Sequence, residues 1–252
     1  MPTDVDKRGA TAARVSLLAR SRLPMPSFNS NGVAIHYEDE GAGEAVVLVH
    51  GLTSSIQQNW RRPGIIDALV QSGRRVVALD CRGHGRSEKP HASSAYAGTQ
   101  MGDDVIALMD HLGIDVADVA GYSMGGAIVT SLVARRPERF RRVIIAGSGD
   151  AVFGPDAGIP RRIPQVRRMS GEQFAALAAL RSAERASIDV DNLAATTCAV
   201  LILVGSADRV AGTARRLLAT IRDAKLVRVP GNHFSVIARP EFRRAMVEFL
   251  SS

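Results

Sequence analysis

Three residues far apart in this 252-residue chain could together turn a hydroxyl into a nucleophile: Ser123, His233 and Asp208. Ser123 stands in Val119-Ala120-Gly121-Tyr122-Ser123-Met124-Gly125-Gly126-Ala127. That stretch reads as the end of a buried strand, a tight turn with the serine at its apex, and the start of a helix. Glycines two residues to either side are needed because strand and helix pass too close for a β-carbon. The turn strains the serine and projects its hydroxyl from the carboxyl edge of a sheet. A helix over 124–135 begins behind it, so unpaired N–H groups and the positive end of the helix dipole point where an oxyanion would form. A Gly-x-Ser-x-Gly pattern alone is short enough to arise by chance, so its partners decide the matter.

A serine needs an oriented base. Of the six histidines, His36 falls in an early strand, and His91 and His111 have no supporting pattern. His50 and His84 lie in glycine-bounded loops, where they read as braces. His233, in Val229-Pro230-Gly231-Asn232-His233-Phe234-Ser235, follows the last strand on a loop leaving the same carboxyl edge. It is the best-placed base. The orienting carboxylate is expected on another such loop, and Asp208 in Gly205-Ser206-Ala207-Asp208-Arg209 is preferred over Asp150, which holds an equivalent position. His50-Gly51-Leu52 offers the Leu52 N–H as a second oxyanion donor beside that of Met124. Substrate contacts are expected from Leu52, Thr53, Tyr122 and Met124, with Phe153, Phe174 and Leu177 as further candidates. Arg82 and His84, in Asp80-x-Arg82-Gly83-His84-Gly85-x-Ser87, brace the adjacent loop.

The elements that must position these groups alternate. A continuous apolar run at 45–49 and shorter or interrupted ones at 75–79, 116–120, 142–146, 199–204 and 225–229 read as strands. Amphipathic stretches at 65–72, 99–112, 124–135, 212–222 and 240–250 read as helices. Asn31-Gly32 marks a hairpin before them. Such alternation predicts an α/β fold with a mostly parallel sheet and helices on both faces. Residues 150–195 break the rhythm with Pro155, Pro160, Pro164 and one helix-like run at 170–186. They are expected to form a lid inserted between two core segments, 25–149 and 196–252. Residues 1–24 lack any period and read as a disordered extension, with Met25 as an alternative start.

Composition narrows the classes. Hydrophobic residues make up 46% of the chain, enough for a sizeable core, and no run approaches the ~20 apolar residues of a membrane span. The net charge of +7 invites a nucleic-acid reading, but the arginines come as scattered pairs such as Arg74-Arg75, Arg135-Arg136 and Arg215-Arg216. A solvated basic surface is the expectation, with neither nucleic acid nor membrane as partner. Cys81 and Cys198 are expected to be free buried thiols, consistent with a cytoplasmic location.

Taken together, His50-Gly51, Trp60, Asp80-x-Arg82-Gly83-His84-Gly85-x-Ser87, Gly121-Tyr122-Ser123-Met124-Gly125-Gly126, Asp208 and His233 resemble, in that order, an α/β-hydrolase-fold protein of the single-domain esterase, lactonase and cofactor-free haloperoxidase type. The likeness runs over roughly 26–250. It implies an eight-stranded, mostly parallel sheet, a Ser123, Asp208 and His233 triad, a lid over 150–195, and neither cofactor nor metal. The expected activity is hydrolysis of a small-molecule carboxylic ester or lactone by two-step acyl transfer. Carbon–carbon bond hydrolysis or perhydrolysis on the same triad is the alternative, and a non-catalytic ligand-binding role a remoter one. Family relatives that open epoxides or displace halides use an aspartate nucleophile, and serine at 123 argues against both.

Overall fold

The computed structural model describes residues 26–154 and 185–252. The expected extension, the alternative start and the helix-like run at 170–186, with Phe174 and Leu177, lie outside these residues save for the last two positions of that run.

Eight strands form one sheet: β1 Ser27–Ser30, β2 Val33–Glu40, β3 Ala45–Val49, β4 Arg75–Leu79, β5 Ala117–Tyr122, β6 Phe140–Ala146, β7 Ala199–Gly205 and β8 Lys225–Val229. Their spatial order is β1-β2-β4-β3-β5-β6-β7-β8. The β1–β2 hairpin and the β2–β4 pair are antiparallel, and every pairing from β4 to β8 is parallel. The helices are α1 Ile65–Gln71, α2 Gln100–His111, α3 Met124–Arg135, α4 Val190–Ala194, α5 Arg215–Thr220 and α6 Pro240–Ser251. Among the described residues no helix is long and apolar enough to cross a membrane.

The period of two along each strand builds two cores. In β3, Val47 and Val49 join α2, α3, α4 and α5 on one face, while Val46 and Leu48 join α1 and α6 on the other. Both faces being covered, β3 is buried at all five residues, as its unbroken apolar run requires.

The chain leaves β3 for β4 on one side and then crosses to β5 on the other. Val49 consequently lies beside Gly121, and two loops leave the carboxyl edge next to each other. Crevices of this kind, at the reversal of strand order, are where open α/β sheets bind ligands.

One expectation needs correction. The helix forecast at 212–222 is shorter, Arg215–Thr220, because the N–H groups of Val210 and Ala211 go to the Asp208 carboxylate and the Thr213 hydroxyl goes to Asp150. Near the two ends of the expected lid, Val152 and Leu193 are buried in the main core.

Candidate active site

Ser123 occupies the turn between β5 and α3 with φ 57° and ψ −111°. An L-residue is strained there, and it stays because the surroundings leave no alternative. A β-carbon on Gly121 would sit 2.1 Å from the Gly125 carbonyl oxygen, and one on Gly125 would sit 2.0 Å from that of Val49. The helix can therefore start immediately behind the serine only with glycine at both places. The Ser123 N–H donates to the Ala146 carbonyl at 2.8 Å, tying the turn to the end of β6.

His233 is brought back from the far edge of the sheet. Its Nε2 is 2.9 Å from Ser123 Oγ, and its Nδ1 is 2.9 and 3.1 Å from the two Asp208 oxygens. Asp208 follows β7. Its Oδ1 also accepts the N–H groups of Val210 at 3.0 Å and Ala211 at 2.9 Å, so the carboxylate cannot rotate freely. The Asp208 and His233 loops are joined by Ser206 N–H to Val229 O at 2.8 Å and Ala207 N–H to Gly231 O at 3.0 Å. The Asp208 side chain is inaccessible to solvent and that of His233 nearly so, which strengthens the pair's electrostatic coupling. A carboxylate at Nδ1 keeps the proton on that nitrogen and leaves Nε2 free to accept one from serine.

Asp150, the rival carboxylate, is turned elsewhere. It accepts the Thr213 hydroxyl and the N–H groups of Arg215 at 3.1 Å and Leu217 at 3.0 Å. It ties the start of α5 to the segment after β6.

The 50–53 loop lies directly against the serine turn: a β-carbon on Gly51 would meet Tyr122 O at 3.2 Å and Ser123 Cβ at 3.4 Å. Neither the Leu52 nor the Met124 N–H donates to a protein acceptor among the described residues, so both remain open to an anion. Thr53, half-buried, holds φ 56°, a second strained non-glycine residue beside the first.

Below these loops His50 and His84 brace the structure, as expected. His50 Nδ1–H donates to Gly51 O at 2.7 Å, and its Nε2 accepts the Cys81 N–H at 3.0 Å, a pattern that only neutral imidazole can make. Burial pushes its pKa down to about 4 and that of His84, 5.2 Å away ring to ring, to about 3. The Asp80 carboxylate links the two loops by accepting N–H from Ile56 and from Arg86, both at 2.8 Å. Arg82, fully buried, makes a bidentate pair with Asp104 at 2.7 and 2.5 Å.

Two of the proposed substrate contacts pack against other protein groups. Tyr122 is buried between His233 and Phe242, and its hydroxyl donates to the His233 carbonyl. Burial raises the phenol pKa, so it stays a donor, and its side chain holds the histidine loop. Phe153 packs against the main core with the Arg216 guanidinium 4.3 Å over its ring. Two other contributors were not foreseen. Asn59 accepts the Gly51 N–H at 2.8 Å and so fixes the peptide preceding Leu52. Phe234, 75% exposed, stands edge-on to the His233 ring at 5.4 Å. Asn59 sits in a polar run, Gln57-Gln58-Asn59, with no local signal, whereas an apolar residue next to the histidine was a visible cue. Among the described residues no group of three or more His, Cys, Asp or Glu is placed to hold a metal ion.

An epoxide hydrolase of Caballeronia sordidicola is 35% identical over 114 residues, 45% of this chain and 34% of that protein. A 2-hydroxymuconate semialdehyde hydrolase of Pseudomonas sp. (strain CF600) is 35% identical over 130 residues, 51% of this chain and 44% of its own. The matched region thus spans less than half the length of these curated relatives. The solved structure of the enol-lactonase from Burkholderia xenovorans LB400 superposes with a TM-score of 0.75 at 26% identity, covering 90% of this chain and 100% of that one. A model of the alpha/beta hydrolase fold matches residues 44–196, more than half of the sequence and the part that carries the 50–53 loop and the serine turn. The chain belongs to the alpha/beta hydrolase fold family.

Proposed function

We propose that this protein is a serine hydrolase that cleaves a small-molecule carboxylic ester or lactone by acyl transfer through Ser123. The observation that carries the reading is the continuous relay from Ser123 Oγ through His233 to Asp208, each link at 2.9 Å. His233 Nε2 takes the serine proton as Oγ attacks the carbonyl carbon. The resulting oxyanion is held by the Leu52 and Met124 N–H groups, the latter at the positive end of α3. His233 then returns the proton to the departing alkoxide. Water, deprotonated by the same nitrogen, attacks the acyl-enzyme and releases the acid.

The enol-lactonase likeness supports a lactone or ester over other hydrolase substrates. The epoxide hydrolase likeness does not carry epoxide opening to this chain. A carboxylate that opens an epoxide leaves an ester that water can cleave, but a serine would leave an ether that it cannot. Carbon–carbon bond hydrolysis is the second reading, favoured by the semialdehyde hydrolase likeness.

Hydrolysis of a p-nitrophenyl ester series from acetate to long acyl chains, with a parallel lactone series, tests the proposal. Turnover should vanish in Ser123→Ala, and a fluorophosphonate should label Ser123 in the wild type. Labelling without ester or lactone turnover, but with cleavage of a ring-fission dienoate, would move the assignment to the carbon–carbon reaction. Turnover that survives Ser123→Ala would overturn the acyl-serine reading.

A further inference from the structure

Beside the loop after β7 lies a groove of about 600 Å³ whose lining includes Asp208 but neither Ser123 nor His233. Its polar wall is Ser206, Asp208, Arg209, Thr213, Arg215 and Arg228. The three arginines come from three elements: Arg209 from the loop after β7, Arg215 from the first turn of α5, and Arg228 from the edge strand β8. Alternation explains the last of these. Leu226 packs against the main core, so Arg228, two residues on, projects from the same face toward α5 and the loop.

These guanidinium groups are exposed and have no acidic partner among the described residues. Elsewhere arginines meet carboxylates: Arg61 with Glu38 and Glu40, Arg75 with Asp39, Arg135 with Asp103, Arg139 with Asp110. Two carboxylates adjoin the groove, and both are engaged by other groups. Asp208 is taken by His233 and two N–H groups, and Asp150 by Thr213, Arg215 N–H and Leu217 N–H. Three guanidinium groups around one concavity outnumber the two adjoining carboxylates, leave it net positive and raise the local concentration of anions. Planar guanidinium forks match the oxygens of phosphate and carboxylate.

We propose that this groove binds a small molecule carrying two or more closely spaced anionic groups, an oligophosphate or a polycarboxylate. Its volume lies in the range of small-molecule sites. The proposal is independent of the hydrolytic chemistry.

The test is calorimetric titration of the full chain with pyrophosphate at low ionic strength, with tricarballylate as a second arm. Saturable one-site binding of pyrophosphate alone assigns oligophosphates, and of tricarballylate alone polycarboxylates. Arg209→Gln/Arg228→Gln should weaken binding by on the order of 100-fold, since each charge-assisted pair lost costs roughly tenfold or more. Arg62→Gln/Arg244→Gln removes the same charge from exposed arginines outside the groove and should change affinity by less than about threefold. In wild-type amide spectra, pyrophosphate should shift Ser206, Ala207, Thr213 and Arg228, which locates the site without any substitution. Absence of saturable binding of either anion, equal weakening in both double variants, or amide shifts scattered away from the groove would each overturn the proposal.

Discussion

Asp208→Asn tests the proposed relay at its least visible member. Oδ1 accepts two backbone N–H groups, at 3.0 and 2.9 Å, while Oδ2 faces His233 Nδ1 at 2.9 Å. An asparagine must keep its amide oxygen toward Val210 and Ala211, because an NH2 there would set donors against donors and cost about 1–3 kcal/mol for each stranded group. Its NH2 then faces Nδ1, which becomes an acceptor, and the imidazole proton moves to Nε2. A protonated Nε2 points at Ser123 Oγ and can no longer take its proton. The fold survives and the base is lost. Loss of the correct tautomer in a triad of this type costs on the order of 10⁴ in rate, about 5.5 kcal/mol. The assay is kcat/KM on the best p-nitrophenyl ester, with the fluorophosphonate labelling rate in parallel and Tm as the control for folding. Activity within tenfold of wild type in a folded Asp208→Asn would refute this assignment of the proton.

Asp150→Asn should keep kcat within about threefold while lowering stability by about 1–3 kcal/mol in urea unfolding, since its carboxylate serves Thr213, Arg215 and Leu217 and not the histidine. Gly125→Ala puts a β-carbon 2.0 Å from Val49 O, about 1 Å inside the closest approach a β-carbon makes, so α3 must back away with the Met124 N–H. A fall in kcat of on the order of 10²-fold is expected with only a modest rise in KM, read from steady-state kinetics. Stability should fall on acidification for a definable reason. Buried His50 and His84 are held neutral, with pKa values lowered from 6.5 to about 4 and about 3, whereas in the unfolded chain both charge near 6.5. Unfolding therefore takes up two protons below pH 6.5. Stability is full above that value and declines toward pH 4 at up to about 2.7 kcal/mol per pH unit from this pair. Urea midpoints from pH 7.5 to 4.5 would measure the slope, and His84→Gln should reduce it by half.

Much of the site was legible because its rules are local. Close passage of a strand and a helix admits only glycine at 121 and 125, and an unbroken apolar run such as 45–49 can be satisfied only by a strand covered on both faces. Parallel connectivity then places every post-strand loop on one edge, so Ser123, Asp208 and His233 could be gathered from their positions after strands alone.

The choice between Asp208 and Asp150 was of another kind. Both follow a strand and both carry the same carboxylate, and only the tertiary structure shows one meeting an imidazole and the other a set of backbone N–H groups. Tyr122 and Asn59 make the same point. A tyrosine beside the serine looked like a substrate contact, yet its hydroxyl holds a carbonyl 111 residues away. An asparagine in a polar run fixes the Gly51 peptide. Periodicity and steric exclusion act over a few residues and are written in the order of the chain. A hydrogen-bond partner is chosen by distance and direction, which exist only once the chain has folded.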